Sequence, residues 1–157
     1  MVYNNNQRNG GNNQRNGGHG GQQNYRGQQN NTPIVKETRP LTEVLSDFEK
    51  VYLPETGLAY KYANDFRGIQ NHQMRKILDQ VKDALAIEDF EQQKKKMFMI
   101  VVMSAYNAGR LGKALKGLYE FTVKYINENT IKTKEDIKEF DQCYTSIVAY
   151  HKSISRN

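Results

Sequence analysis

Asn71-His-Gln-Met-Arg-Lys-Ile-Leu-Asp-Gln-Val-Lys-Asp-Ala-Leu85 sets Met74, Ile77, Leu78, Val81 and Leu85 three and four residues apart. At 100° per residue these five side chains fall within an arc of about 100°, the pattern of an amphipathic helix laid on a core. Arg75, Asp79 and Lys82 share the neighbouring face, which points to water. Asn71 at the start suits an N-cap. The same period extends both ways. Upstream, Leu41, Val44, Leu45, Phe48 and Tyr52 predict one helix that Pro54 ends, and residues 58–66 predict a short second one closed by Gly68. Downstream, a helix is expected over about residues 88–109, with Ile100-Val-Val-Met103 apolar all round. Such a segment is buried on every side or sits at a subunit contact, and is read as core first. Gly109 and Gly112 bracket a turn, after which Leu115, Leu118, Phe121, Tyr125 and Ile126 face inward, opposite Lys113, Lys116, Glu120 and Lys124. The last helix opens with Thr133-Lys-Glu-Asp136, a capping box, and turns Ile137, Phe140, Tyr144, Ile147, Val148 and Ile154 inward. No two-residue alternation occurs, so the expected fold class is all-α. It is a compact bundle of five or six helices with a disordered N-terminal tail.

The division falls near residue 38, with a tail over 1–38 and the bundle over 39–157. A perfect tandem repeat, Asn5-Asn-Gln-Arg-Asn-Gly-Gly11 then Asn12-Asn-Gln-Arg-Asn-Gly-Gly18, opens a stretch of Asn, Gln, Gly and Arg. So little apolar surface cannot offset ordering entropy, and the tail is expected to be disordered. Over residues 1–35 its charges are Arg8, Arg15 and Arg26, so this stretch carries half of the chain's net +6. Arginine among Gly and Tyr25 fits either an RNA-binding segment or an inert solubilising leader.

No run of about 18 apolar residues is present to span a membrane, and no secretory leader opens the chain, which leads to the expectation of a cytoplasmic protein without a membrane partner. The single cysteine, Cys143, agrees with a reducing compartment. His19, His72 and His151 are widely separated, so no metal site is expected, and the absence of a Gly-rich phosphate loop leads to the expectation of no cofactor. Cys143 reads as a small core residue, His72 as solvent-exposed, and Asp79 with Asp83 as part of an ion-paired face. The requirements for an active site are not met together, so an enzyme is not expected.

The charge distribution points elsewhere. Between Gln92 and Tyr119 there is no acidic residue, yet Lys94, Lys95, Lys96, Arg110, Lys113 and Lys116 all fall inside. Successive helices pack side by side, so these cations share a surface suited to a polyanion. Arg75 stands in the first helical turn, where the macrodipole disfavours a cation. Either Asp79 one turn on or a bound phosphate, met by Asn71, Gln73 and free N–H groups, compensates it. Tyr106 lies near Arg110 and Tyr150 near Lys152, and at least one of these tyrosines is expected to be a half-buried packing residue.

Three stretches in order, Gln73-Met-Arg-Lys76, Ala105-Tyr-Asn-Ala-Gly-Arg110 and Ala149-Tyr-His-Lys152, resemble elements of the small subunit of type III-A CRISPR RNA-guided effector complexes. The resemblance covers about residues 41–154. Asn71-His72 stands where that pattern has Thr-Ser, and Thr145-Ser146 where it has an acidic residue. The tail has no counterpart in the pattern. The resemblance implies a non-catalytic subunit that self-associates as an inner filament beside other subunits of the effector complex. It also implies sequence-blind contact with guide RNA and target RNA. Arg75 and Arg110 are the first candidates for that contact, followed by Lys76, Lys113, Lys116, Lys94, Lys95, Lys96 and Lys152. The equivalent subunit of type III-B complexes, and a helical adaptor that binds protein alone, are the alternatives.

Overall fold

A computed structural model describes residues 32–155 of the 157. The repeat-bearing stretch of the expected tail, residues 1–31, lies outside the described residues. Seven helices follow in the described part: α1 (Leu41–Val44), α2 (Phe48–Tyr52), α3 (Leu58–Asp65), α4 (Asn71–Leu85), α5 (Phe90–Leu111), α6 (Lys113–Tyr125) and α7 (Lys134–Ile154). No strand occurs among the described residues. The all-α reading holds.

The single helix expected over residues 41–52 is two. Ser46 Oγ donates to the Glu43 carbonyl, and the Asp47 carboxylate accepts from the Lys50 N–H, starting α2 afresh. Short polar side chains here compete with the helical backbone and win. Leu41 and Leu45 are buried, but Phe48 is 66% exposed, so the apolar spacing ran across a break.

Helices α4 to α7 run alternately up and down. Short links join α4 to α5 and α5 to α6, and the Lys82–Asp141 pair joins the later half of α4 to the early half of α7. The α3 and α4 helices pack on α7, α4 also on α5, and α5 on α6. An aromatic cluster fills the centre. Phe121 from α6 meets Tyr62 at 4.7 Å, Tyr125 at 5.0 Å and Phe140 at 5.9 Å between ring centroids. Phe140 and Tyr144 stack one turn apart on α7.

The capping box at α7 is formed, and Asp136 does more than cap. Its buried carboxylate accepts from the N–H groups of Thr42 on α1, Lys132 and Thr133. Burial opposes its ionisation, but these N–H groups outweigh burial and hold the carboxyl below its ordinary value. The folded value lies below the unfolded one, so the stabilisation is full above about pH 4 and is lost as pH falls through the folded value. Replacing Asp136 with Ala should cost about 2–3 kcal/mol at neutral pH, and the advantage of wild type should be smaller at about pH 3. Urea unfolding at both pH values checks this.

The segment before α1 is also bound. Glu37 N–H donates to the Lys124 carbonyl, and the Asn127 amide donates to the Glu37 carbonyl.

Candidate nucleic-acid interface

The up-and-down order brings the start of α4, the end of α5, the start of α6 and the end of α7 to one end of the bundle. Gln70, not Asn71, is the N-cap residue of α4, and its side chain makes no capping hydrogen bond. No acidic residue occupies the first turn. The N–H groups of Asn71 and His72 therefore lack both an intrahelical acceptor and a side-chain cap.

Asn71 is the first helical residue, and its side-chain amide faces His151 Nδ1 on α7 at 3.0 Å. The other ring nitrogen donates to the Phe66 carbonyl at the end of α3, also at 3.0 Å. A carbonyl can only accept, so Nε2 carries hydrogen and Nδ1 meets the amide. Tyr144, two turns earlier on the same face of α7, donates its hydroxyl to the Met74 carbonyl at 2.9 Å. Burial pushes that hydroxyl above its ordinary value and keeps it a donor. The first and third motifs are thus joined through α4 and α7. Replacing His151 with Ala should cost about 1–3 kcal/mol, because it deletes a buried ring together with its contact to Asn71 and leaves the Phe66 carbonyl with the Ile69 N–H as its remaining donor. Thermal unfolding measures the loss, and hydrogen exchange should quicken at the first-turn amides of α4.

The second motif arrives through Gly112, which ends α5 and begins α6 at φ 91°. Backbone of that geometry is accessible to glycine and strained for other residues. It lets α6 turn back at once, so Arg110 and Lys113 stand close in sequence on either side of the corner. A small recess between α4, α5 and α6 brings Lys76 and Gln73 together with Ser104 and Asn107. Arg110 is one turn beyond Asn107.

Arg75, Lys76, Arg110, Lys113 and Lys152 are all exposed. Ion pairs among the described residues join Arg39 to Glu37 and Glu43, Lys50 to Asp47, Lys82 to Asp141, Lys116 to Glu120, and Lys138 to Glu135. None uses Arg75, Lys76, Arg110, Lys113 or Lys152. The Arg75–Asp79 pair that would have compensated Arg75 is absent among the described residues. Lys116 lies one turn down α6 and faces Glu120 at 3.9 Å.

Lys94, Lys95 and Lys96 belong to the opposite end. They lie 14–16 residues before Arg110 on the same helix, about 21–24 Å away along its axis. Acidic residues surround that end, with Glu88, Asp89 and Glu91 before the lysines and Glu135 and Asp136 at the start of α7. Lys94 lies over the Phe98 ring at 5.9 Å. The bundle thus gathers six of the nine named cations and leaves three apart.

Arg67 joins the six, and the sequence reading passed over it. It follows α3 directly beside Phe66, and its guanidinium donates to Asn64 Oδ1 at 2.9 Å. An isolated arginine before Gly68 carries no periodic signal; the packing of α3 on α7, with the His151–Phe66 contact, brings it to this end.

Tyr150 is the packing residue of the two motif tyrosines, donating to the Tyr52 carbonyl at 2.7 Å and meeting Tyr60 edge-on. Tyr106 is not. With Met99, Val102 and Met103 it forms a stripe at i, i+3, i+4 and i+7 on α5 that is 41–58% exposed. The apolar turn over residues 100–103 was expected to be core first. Ile100 is buried, but Val102 and Met103 are left half exposed because α5 packs on α4 and α6, and more lightly on α7, and these do not cover its whole circumference among the described residues.

Cys143 is buried, and burial followed by the Glu139 carboxylate pushes its thiol up to about 12, so it stays protonated at neutral pH. No group of three His, Cys, Asp or Glu residues is placed to hold a metal ion among the described residues. No helix among them is long and apolar enough to cross a membrane.

A family model described as Csm2 Type III-A matches residues 55–157, well over half of the chain. The match begins after α2, so the repeat-bearing stretch and the first two helices lie outside it. No curated protein and no solved structure matches the chain. The match agrees with the three motifs and favours type III-A over the related type III-B family, and so the chain belongs to the Csm2 family, the small subunit of the multi-subunit type III-A CRISPR effector complex.

Proposed function

We propose that this chain is a non-catalytic subunit that lines the path of guide RNA paired with target RNA, gripping phosphates at the basic end of the bundle. The observation that carries the reading is the gathering of Arg75, Lys76, Arg110, Lys113 and Lys152 at one end, outside every ion pair among the described residues. Exposed cations beside uncapped helix N–H groups suit a phosphate backbone and carry no sequence information, so base pairing supplies specificity. Arg67 adds to this set. The Lys94–Lys96 run, beside its own acids, contributes less.

Copies of the chain stack as a filament in the cytoplasm beside larger subunits. The stripe of Met99, Val102, Met103 and Tyr106 supports a protein contact, since an apolar helical face left about half exposed among the described residues gains by burial against another subunit.

Purification of the tagged chain from its own host at moderate salt tests the proposal. Short RNAs with a common repeat-derived end, accompanied by larger CRISPR subunits, are expected. A protein partner held without RNA, through a contact indifferent to salt, would instead make the chain an adaptor.

A further inference from the structure

A second feature of the basic end is not phosphate-like. Between the α3–α4 turn and the α5–α6 corner lies an open cleft of about 280 Å³. Ile69, Leu111, Ala114 and Leu115 form its apolar floor, and the amides of Gln70 and Gln73 stand at its side. No charged residue lines it. The charges stand around it instead: Arg67, Arg110 and Lys113 each lie within one or two residues of a lining position. The uncapped start of α4 adjoins it too.

Behind the cleft, Gln73 and Leu115 also line the inner recess, which has a volume of about 20 Å³, room for one water. Ser104 Oγ lines that recess. It is buried at 5% exposure and has no hydrogen-bond partner among the described residues. An unpaired buried hydroxyl costs free energy, and an occupant or its bridging water would recover that cost.

The combination selects a ligand. Its inserted part is uncharged, flat enough for a cleft smaller than drug-sized sites, apolar on its faces and hydrogen-bonding at its edge. Its remainder is anionic. We propose that the cleft receives one unpaired base of an RNA strand, whose phosphates lie on Arg110, Lys113 and the first turn of α4; this rests on the RNA-contact reading above. A paired base presents neither a free face nor a free edge, whereas an unpaired one presents both. Amides that donate and accept alike suit any base, so the contact reads the unpaired state and not the sequence.

The test uses the full-length chain and two short RNA strands of equal phosphate count, one of mixed sequence and one abasic at every nucleotide. Equal phosphate count holds the electrostatic contribution constant. Fluorescence anisotropy should show the base-bearing strand bound at least about fivefold more tightly, the lower end of what one base contact supplies. Ala114→Phe, which fills the cleft from an exposed position, should bring the base-bearing strand down to the abasic level. Leu111→Ser, at a half-exposed position, should reduce the difference in the same direction, and circular dichroism verifies folding of both variants. Equal affinity of wild type for the two strands, or a difference that survives Ala114→Phe in a folded protein, would overturn the proposal and assign the cleft to a protein side chain. Failure to bind either strand would instead remove the RNA-contact reading itself.

Discussion

Replacing Phe121 with Ala should lower the stability of the bundle by about 3–5 kcal/mol, the cost of a large ring deleted from a packed core. Phe121 is buried and touches rings from two other elements: Tyr62 and Phe66 on or just after α3, and Phe140 and Tyr144 on α7. Truncation therefore opens a cavity between elements far apart in sequence, where collapse of one side strips contacts from another. Total stabilities of domains this size are about 5–15 kcal/mol, so the variant should unfold at a much lower urea concentration. Phe121→Leu keeps most of the volume and should cost less than half as much. A loss below about 1 kcal/mol for the alanine variant would mean that the aromatic cluster is not the centre of the fold.

The largest functional effect is expected from reversing charge at Arg75 and Arg110 together. Both side chains are exposed and outside the ion pairs of the described residues, so their replacement by Glu removes attraction without leaving a buried partner behind. Each lost charge-assisted phosphate contact is worth about 1.5–3 kcal/mol, and reversal adds repulsion, so RNA affinity should fall by at least about tenfold per site. The slope of log affinity against log salt should also shrink by about two. Thermal stability should stay near wild type, since neither residue packs in the core. Reversal of Lys95 and Lys96, at the acidic end, is the matched comparison and should weaken binding much less. Equal losses from the two pairs would deny that the basic end is the RNA surface.

Most of the helical order could be read from spacing alone. The α4, α6 and α7 helices each bury a face of side chains three and four residues apart, and Thr133 with Asp136 caps α7 as their types suggest. What escaped were events decided between elements or by local competition. Ser46 and Asp47 split one periodic run because their side chains bond the backbone. Asn71 has the chemistry of a cap, but His151, 80 positions later, takes its side chain. The outward face of Val102 and Met103 follows from how many helices pack on α5, which no window of sequence contains. The site divided likewise. Cations near Arg110 could be read from the acid-free window, whereas the separation of Lys94–Lys96 and the arrival of Arg67 depend on which helix ends coincide.

Ultraviolet cross-linking of the assembled effector complex to its guide and target RNA, followed by mass spectrometry of the linked peptides, tests the central claim most directly. Adducts on residues 71–76 and 107–116 of this chain are the predicted result, with the Lys94–Lys96 peptide unmodified. Adducts at Lys94–Lys96 without any at the start of α4 or the α5–α6 corner would contradict the account, as would no RNA adduct on this subunit at all.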